Sequence, residues 1–322
     1  MKRYGNLFEK ICDIDNIRLA HKNARKRKTH YKEVKEIDKD IDKYCYKLKE
    51  LLESGKFKNS EYEVFTKNDK GKVREIYKLP YFPDRIVHHA IIQVVESIWK
   101  GTLIKDTYQS IKGRGLHKAI NKIKKNVYKS EEELVYLKID ISKFYPSINN
   151  SILKDIIRHK IKCKQTLLLL DEIIDSTIGV PIGNYLSQYF GNLYLSKIDH
   201  YIKEVCKIKL YFRYCDDIVV ISPVKKELHD TKHRLYIMLK SIKLSIKSNY
   251  CIRPIADGLD FLGVVIYNKY TKLRKTIKKM YIYKISNLCD NKVIVSYNGW
   301  LVLCNSHSLE NKYESKRKCY DN

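Results

Sequence analysis

The sequence predicts an α+β fold, and three observations carry that assignment. Apolar, β-rich runs at 134–141, 210–214 and 218–221 read as strands of a buried sheet. Apolar residues at helical spacing, such as Leu186, Phe190, Leu193 and Ile198, read as helices packed against a core. Strands and helices do not alternate strictly, which argues against a purely parallel βαβ sheet.

Residues 7–55 read as charged helices, with Leu7, Ile11 and Ile14 on one partial stripe and Tyr44, Leu48, Leu51 and Leu52 on another. The basic stretch from Lys22 to Lys32 between them can meet phosphates or solvent equally well. Asn68-Asp69-Lys70-Gly71 is a turn signal between two β-rich runs, 62–65 and 73–77, and predicts a hairpin. A helix over 84–99, a buried strand from Leu134 to Ile141, and helices over 150–161 and 165–176 follow. The tight segment Gly179 to Asn184 opens a long helix reaching about Cys206. Leu210 to Tyr214 and Ile218 to Ile221 flank Cys215-Asp216-Asp217, a hairpin with two acids at its turn. A helix over 225–242 and a strand from Phe261 to Tyr267 complete the block. The tail from Tyr270 is basic and predicted helical through Lys272-Leu273-Arg274-Lys275.

The chain has 322 residues, of which 44% are hydrophobic, enough for one large domain or two to three subdomains with a sizeable core. Lys and Arg outnumber Asp and Glu by 64 to 37, a net charge of +27. Such an excess points to a polyanionic partner, and nucleic acid is the commonest one. The 26 tyrosines, interleaved with cations, suit bases and phosphates, although most single tyrosines of this kind pack at core margins. Nine dispersed cysteines with no CxxC pair suggest neither a zinc site nor a disulfide framework, and so a reducing compartment. No apolar run has signal-peptide or membrane-span length, so a cytoplasmic protein without a membrane partner is expected.

Three carboxylates carry the chemistry. Asp140 ends an apolar strand, and Asp216 and Asp217 lie in a turn between two others. A buried carboxylate without a compensating cation costs several kcal/mol. Two acidic sites on strands of one sheet therefore suggest a shared pair of divalent ions, Mg²⁺ or Mn²⁺. Two such ions, about 4 Å apart, activate an attacking hydroxyl and stabilise a leaving phosphoryl oxygen. Each acid alone is ambiguous, because Asp-Asp is ordinary turn chemistry and Asp140 could form a buried ion pair.

The surrounding motifs resolve the ambiguity by resemblance. Leu137-Lys138-Ile139-Asp140-Ile141-Ser142-Lys143-Phe144-Tyr145 resembles the palm motif of reverse transcriptases that carries the first metal-binding Asp. Tyr214-Cys215-Asp216-Asp217 resembles their Tyr-x-Asp-Asp motif, Gly179 to Gln188 their template-and-nucleotide motif, and Asp260-Phe261-Leu262-Gly263 their primer-grip strand. The order and spacing are family-like. The likeness extends upstream through Leu79-Pro80, Asp84 to Ala90 and Gly113 to Ala119, covering most of the chain. It implies a right-hand polymerase fold, with fingers at 1–133, palm at 134–268 and a short basic thumb at 269–322. It also implies attack of a primer 3′-hydroxyl on a deoxynucleotide α-phosphate, with Asp140, Asp216 and Asp217 as catalytic metal ligands and the Ile141 carbonyl assisting.

Further roles follow from the resemblance. Tyr145 matches the steric gate that excludes a 2′-hydroxyl. Lys72 and Arg74 match the basic pair on the incoming triphosphate, while Ile182 and Gly183 adjoin the nucleotide. Arg85, Arg114, Ser187, Gln188, Phe261, Leu262 and Gly263 are implied template or primer contacts. Lys247 lies near the family's proton donor to pyrophosphate, although Ser248-Asn249-Tyr250 departs from the usual pattern there. His88 and His89 lack metal-ligand spacing and are expected to pack or cap.

Ile182 stands where many reverse transcriptases carry Gln. In this respect the motif is similar to diversity-generating retroelement enzymes and related bacterial lineages, which implies error-prone copying. The implied partners are an RNA template, a DNA or RNA primer, deoxynucleotides, a structured non-coding RNA and an accessory protein, with oligomerisation left open. An antiphage-defence reverse transcriptase copying a dedicated non-coding RNA is the alternative. A catalytically idle RNA-binding scaffold is a third reading, against which the intact acids argue.

Overall fold

The computed structural model describes residues 2–69, 71–286, 291–306 and 309, without the side chains of Asp69, Lys72 and 291–294. The chain passes between two units. The first comprises Met1–Lys105, Ile141–Val205 and Tyr236–Ile246, and the second Asp106–Asp140, Cys206–Leu235 and Lys247–Asn322.

In the first unit the expected N-terminal helices run over Phe8–Cys12, Ile14–Ala24, Lys32–Ile37 and Ile41–Glu53. Asp13 caps the second, its Oδ1 accepting from the backbone N–H groups of Asp15 and Asn16 at 3.0 Å each. They pack around the helix Ile86–Lys100, whose Val87, Ala90, Ile91 and Val95 are fully buried. Burial on nearly every side explains why that helix reads as an almost unbroken apolar run. The predicted hairpin is present as β1 (Glu63–Asp69) and β2 (Lys72–Lys78), paired antiparallel. Its Val64, Phe65 and Val73 are exposed, so a core does not hold it. Near its base Tyr62 shares a hydrogen bond with Ser176 and accepts another from Asn184 at 2.9 Å. The long helix opened by the Gly/Pro segment runs over Ser187–His200 and continues as a wider turn, Tyr201–Val205.

The second unit is built on a five-stranded sheet. Its strands are β3 (Thr107–Tyr108), β4 (Val135–Asp140), β5 (Leu210–Tyr214), β6 (Asp217–Ser222) and β7 (Cys251–Pro254), in the order β3-β5-β6-β4-β7. The helix Leu116–Lys129 lays Ala119, Ile120, Ile123 and Val127 onto a core shared with Phe212, Val219 and Ile221. Each large apolar side chain buried there contributes about 1.5–3 kcal/mol. The same core takes in a smaller sheet of β8 (Leu259–Phe261), β9 (Val264–Ile266) and β10 (Thr271–Leu273), ordered β10-β9-β8. No helix among the described residues is long and apolar enough to cross a membrane.

Two expectations need correction. The run Phe261 to Tyr267 is not one strand: Leu262 (φ 48°) and Gly263 (φ 88°) turn the chain back between β8 and β9. Apolar content alone hid that turn, because Phe261 and Val264 remain in the core on either side of it. The segment 271–273 is a strand paired with β9, and the tail helix begins only at Lys275 and runs to Ser286. Thr271 and Leu273 are buried while Lys272 is exposed, the period-two pattern of a half-buried strand.

Candidate active site

The acids meet at one end of the five-stranded sheet. In the β4–β6 ladder Asp140 is the register partner of Asp217, so the two side chains leave the same face. In the β5–β6 hairpin Tyr214 pairs with Asp217, leaving Cys215 and Asp216 as a two-residue loop. Cys215 takes φ 58°, an uncommon conformation for a residue with a Cβ. Both strands are buried on both faces, which accounts for their apolar runs, broken only by Arg213 in β5.

Arg213 secures this turn. It is fully buried, and its Nη1 donates to the carbonyl of Cys215 at 3.0 Å. Its backbone N–H donates to the carbonyl of Asp106 at 3.0 Å. Asp106 is itself buried, accepts from the Tyr108 hydroxyl at 3.1 Å, and is ion-paired with Lys122. Sequence reading passed over Arg213. A cation inside an apolar strand directly before the acids was the available signal, since such a charge needs built partners.

The electrostatics favour a bound cation. The Asp217 carboxyl is pushed up to about 6: burial is the largest cause, Lys138 and Lys247 act against it, and Asp216 and Asp140 add to it. Burial likewise raises Asp216, with Asp140 adding to the effect. Lys247 ion-pairs with Asp140 Oδ2, and its backbone N–H donates to the Asp140 carbonyl at 2.9 Å. A lysine cation thus already stands on one of the acids. Among the described residues no group of three His, Cys, Asp or Glu side chains is gathered closely enough to hold a metal ion as it stands. The donors are hard oxygens, two of them raised by burial and by a neighbouring carboxylate, and a divalent ion suits that set. Asp140, Asp216 and Asp217 would hold it. Ile141, the next residue along, is buried and bridged to Ile246.

The remaining expected residues fall into local groups. Tyr145 lies in a short helix, Phe144–Ser147, and its carbonyl accepts from the Val180 N–H at 2.9 Å. Its half-buried ring lies over Gly191, where a Cβ would come within 3.2 Å of it. The Ile182 carbonyl accepts from the Tyr77 N–H of β2 at 2.8 Å. Gly183 has φ 126°, and a Cβ there would stand 2.4 Å from the Tyr77 carbonyl oxygen. Approach to the hairpin backbone therefore already requires glycine at 183. Ser187 is buried, and its hydroxyl donates to the Pro181 carbonyl at 2.5 Å, bracing the loop from within, whereas Gln188 is exposed.

Arg74 is exposed on β2, opposite Lys67, and the Lys72 side chain lies outside the described residues. Arg85 is directed inward: its Nε donates to the Ala24 carbonyl at 3.3 Å, at the end of the helix Ile14–Ala24. Arg114 is half-buried in the loop before the helix Leu116–Lys129. Phe261 is core, and Leu262 and Gly263 form the β8–β9 turn, where a Cβ on Gly263 would strike the Trp300 ring at 2.3 Å. His88 and His89 are packing residues, as expected. Burial pushes them down to about 3 and about 4, and His89 stacks on Tyr185 at 3.9 Å.

Residues 65–266 match the family described as reverse transcriptase (RNA-dependent DNA polymerase). Protein YkfC of Escherichia coli K12 is 25% identical over 256 residues, covering 65% of this chain and 67% of that protein. Among solved structures, apo telomerase from Candida tropicalis aligns with TM-score 0.53 at 14% identity, over 67% of this chain and 49% of that one. The same telomerase in complex with a TWJ fragment of telomeric RNA aligns with TM-score 0.52 at 13% identity, over 72% and 48%. The chain spans about half the length of these telomerase structures. The shared fold is the right-hand polymerase fold. With the family match covering more than half of its length, this chain belongs to the reverse transcriptase (RNA-dependent DNA polymerase) family.

Proposed function

We propose that this chain is an RNA-directed DNA polymerase that extends a primer 3′-hydroxyl with deoxynucleotides, releasing pyrophosphate. The observation that carries the proposal is the pairing of Asp140 with Asp217 across β4 and β6, with Asp216 in the adjoining turn. Two Mg²⁺ ions, or Mn²⁺, bound there would supply an activated hydroxyl and neutralise charge on the phosphoryl group. The protein's part is positional. Arg213 holds the turn, β4 and β6 hold the acids in register, and Lys247 offers a cation and a proton beside Asp140. Fingers at 1–133, palm at 134–268 and thumb at 269–322 complete the assignment, in which Lys72 and Arg74 are given the role of triphosphate contacts and the Leu262-Gly263 turn that of a primer contact.

Tyr145 is the sugar gate in this reading, and Ile182 is the residue that loosens base selection. An alkyl group in place of an amide removes a hydrogen bond near the nascent pair. That substitution favours a diversity-generating retroelement enzyme working in the cytoplasm with a structured RNA and an accessory protein. Sequencing the nucleic acid that copurifies tests this biology. Template-repeat copies with changes at adenines support it, and a uniform copy of one dedicated non-coding RNA assigns the chain to antiphage defence instead.

The chemistry is tested by primer extension on an RNA template with deoxynucleotides and Mg²⁺ or Mn²⁺, comparing wild type with Asp216→Asn/Asp217→Asn. Equal synthesis by both proteins would overturn the mechanism. Ile182→Gln is expected to lower misincorporation opposite template adenine; an unchanged error rate removes the role given to Ile182.

A further inference from the structure

The second unit carries another cationic surface, at the end of its sheet away from the acids. The register pair Leu210 and Ile221 marks that end of β5 and β6, about 14 Å along the strands from Tyr214 and Asp217. A groove of about 490 Å³ opens beside this pair. Lys125 and Lys129 line it from the helix Leu116–Lys129, and Lys207 and Lys209 line it from the segment entering β5. All four lysines are exposed. Glu132 and Glu227 also line the groove.

An aromatic cluster adjoins the same helix end. In the loop between β9 and β10 the rings of Tyr267 and Tyr270 stack with centroids 4.6 Å apart and planes 22° apart. Lys272 Nζ lies 5.4 Å from the first ring and 5.0 Å from the second. Tyr270 keeps 39% of its surface exposed. The loop is tied to the helix: the Tyr128 hydroxyl and Thr271 Oγ1 share a hydrogen bond of 2.5 Å, and Lys269 Nζ donates to the Tyr128 carbonyl at 3.2 Å. The stacked tyrosines therefore adjoin the helix turn that presents Lys125 and Lys129.

The geometry points to a second RNA-binding site, separate from the polymerase centre, that takes an unpaired RNA segment with its phosphates along the four-lysine groove and a base on Tyr270. Cations tracking a backbone beside a solvent-exposed aromatic ring are the chemistry of single-strand binding. The two glutamates can accept from the 2′-hydroxyls of RNA, a contact that a DNA strand does not offer. The site deepens the polymerase reading by giving the enzyme a hold on RNA outside the template path.

The test uses the full chain and a labelled, mixed-sequence 40-nucleotide single-stranded RNA. Lys125→Ala/Lys129→Ala/Lys207→Ala is expected to weaken binding by about tenfold or more at low salt. The slope of log affinity against log salt should shrink by about 2, since each phosphate contact on a single strand contributes about 0.7. Tyr270→Ala is expected to weaken binding about fivefold or more with the slope unchanged. Primer extension on a 12-nucleotide template-primer should match wild type in both variants, which also shows that they fold. Unchanged affinity and slope would overturn the proposal. So would equal losses on the short template-primer, or displacement of the RNA by polyglutamate as readily as by unlabelled RNA. If wild type fails to extend primers, the polymerase reading fails, while the binding comparison still decides this site.

Discussion

Asp140 and Asp217 stand directly opposite each other on adjacent antiparallel strands, so the fold holds two carboxylates on one face of a buried sheet. Without a divalent ion the arrangement opposes folding. The folded state holds the Asp217 proton up to about pH 6, against an ordinary value of 3.8. Between these values the folded protein binds more protons than the unfolded chain, so stability falls as pH rises. The loss is complete above about pH 6 and amounts to at most about 3 kcal/mol. Asp217→Asn is therefore expected to be more stable than wild type in urea at pH 7.5 with EDTA, and to lose that advantage at pH 4. Primer extension by the variant should fall by about 10²-fold or more. Equal urea midpoints at both pH values would refute the electrostatic account of the site.

Lys247 competes with any ion at Asp140, because its Nζ already pairs with Oδ2. Removing it raises the negative charge facing a metal. Lys247→Met is expected to lower the Mg²⁺ concentration at half-maximal activity by about fivefold, which corresponds to about 1 kcal/mol. The metal-free protein should melt earlier, since Asp140 then loses its cation. A Mg²⁺ titration of activity, paired with melting curves in EDTA, measures both effects. A midpoint shifted upward would show that the lysine assists metal binding.

Arg213 is a positioning residue, and its replacement separates geometry from charge. Arg213→Lys retains the charge but loses the fork that reaches the Cys215 carbonyl. The expected cost is about 1–3 kcal/mol of stability, with a reduced kcat and an unchanged KM for template-primer. A merely structural role would lower stability and leave kcat per folded molecule intact.

The contrast between Arg213 and the acids shows what was legible in the sequence. Asp140, Asp216 and Asp217 announced themselves because each interrupts or ends an apolar run within an ordered series of motifs. The hairpins and most helices were legible for the same reason, namely periodicity bounded by turn residues. Arg213 was not, because its partners are a carbonyl two residues on and a segment more than a hundred residues upstream. The Leu262-Gly263 turn was lost because hydrophobic residues flank it on both sides, leaving no polar punctuation. Gly183 was noticed, but as a neighbour of substrate. Its contact with the Tyr77 carbonyl depends on a loop meeting a hairpin from far upstream, which no local pattern encodes.

That contact makes Gly183 a sensitive point. Gly183→Ala would set a methyl group 2.4 Å from the Tyr77 carbonyl oxygen at φ 126°, so either the loop or β2 must shift. About 1–3 kcal/mol of strain is expected. Because the Ile182 carbonyl and the Tyr77 N–H share the same junction, the hairpin bearing Arg74 should move with it. KM for deoxynucleotide should rise more than KM for template-primer in steady-state extension. Equal rises would mean that the hairpin is not a nucleotide element.

Tyr145 and Gly191 together test the sugar gate. The Tyr145 ring rests over Gly191, where an added Cβ would come within 3.0 Å of Phe144 and 3.2 Å of Tyr145. Those contacts are tight enough to displace the rings by a few tenths of an ångström without unfolding the helix. If the ring excludes a 2′-hydroxyl by contact, removing it and nudging it have different signatures. Tyr145→Ala opens space and should raise ribonucleotide incorporation relative to deoxynucleotide by about tenfold or more, since a clash worth over 1.4 kcal/mol is removed. Gly191→Ala keeps the ring and moves it, so it should raise KM for deoxynucleotides while ribonucleotides stay excluded. Single-nucleotide incorporation with each substrate class reads both. If Tyr145→Ala leaves the selectivity ratio unchanged, the ring is a core element, and Gly191→Ala should then lower stability without altering KM.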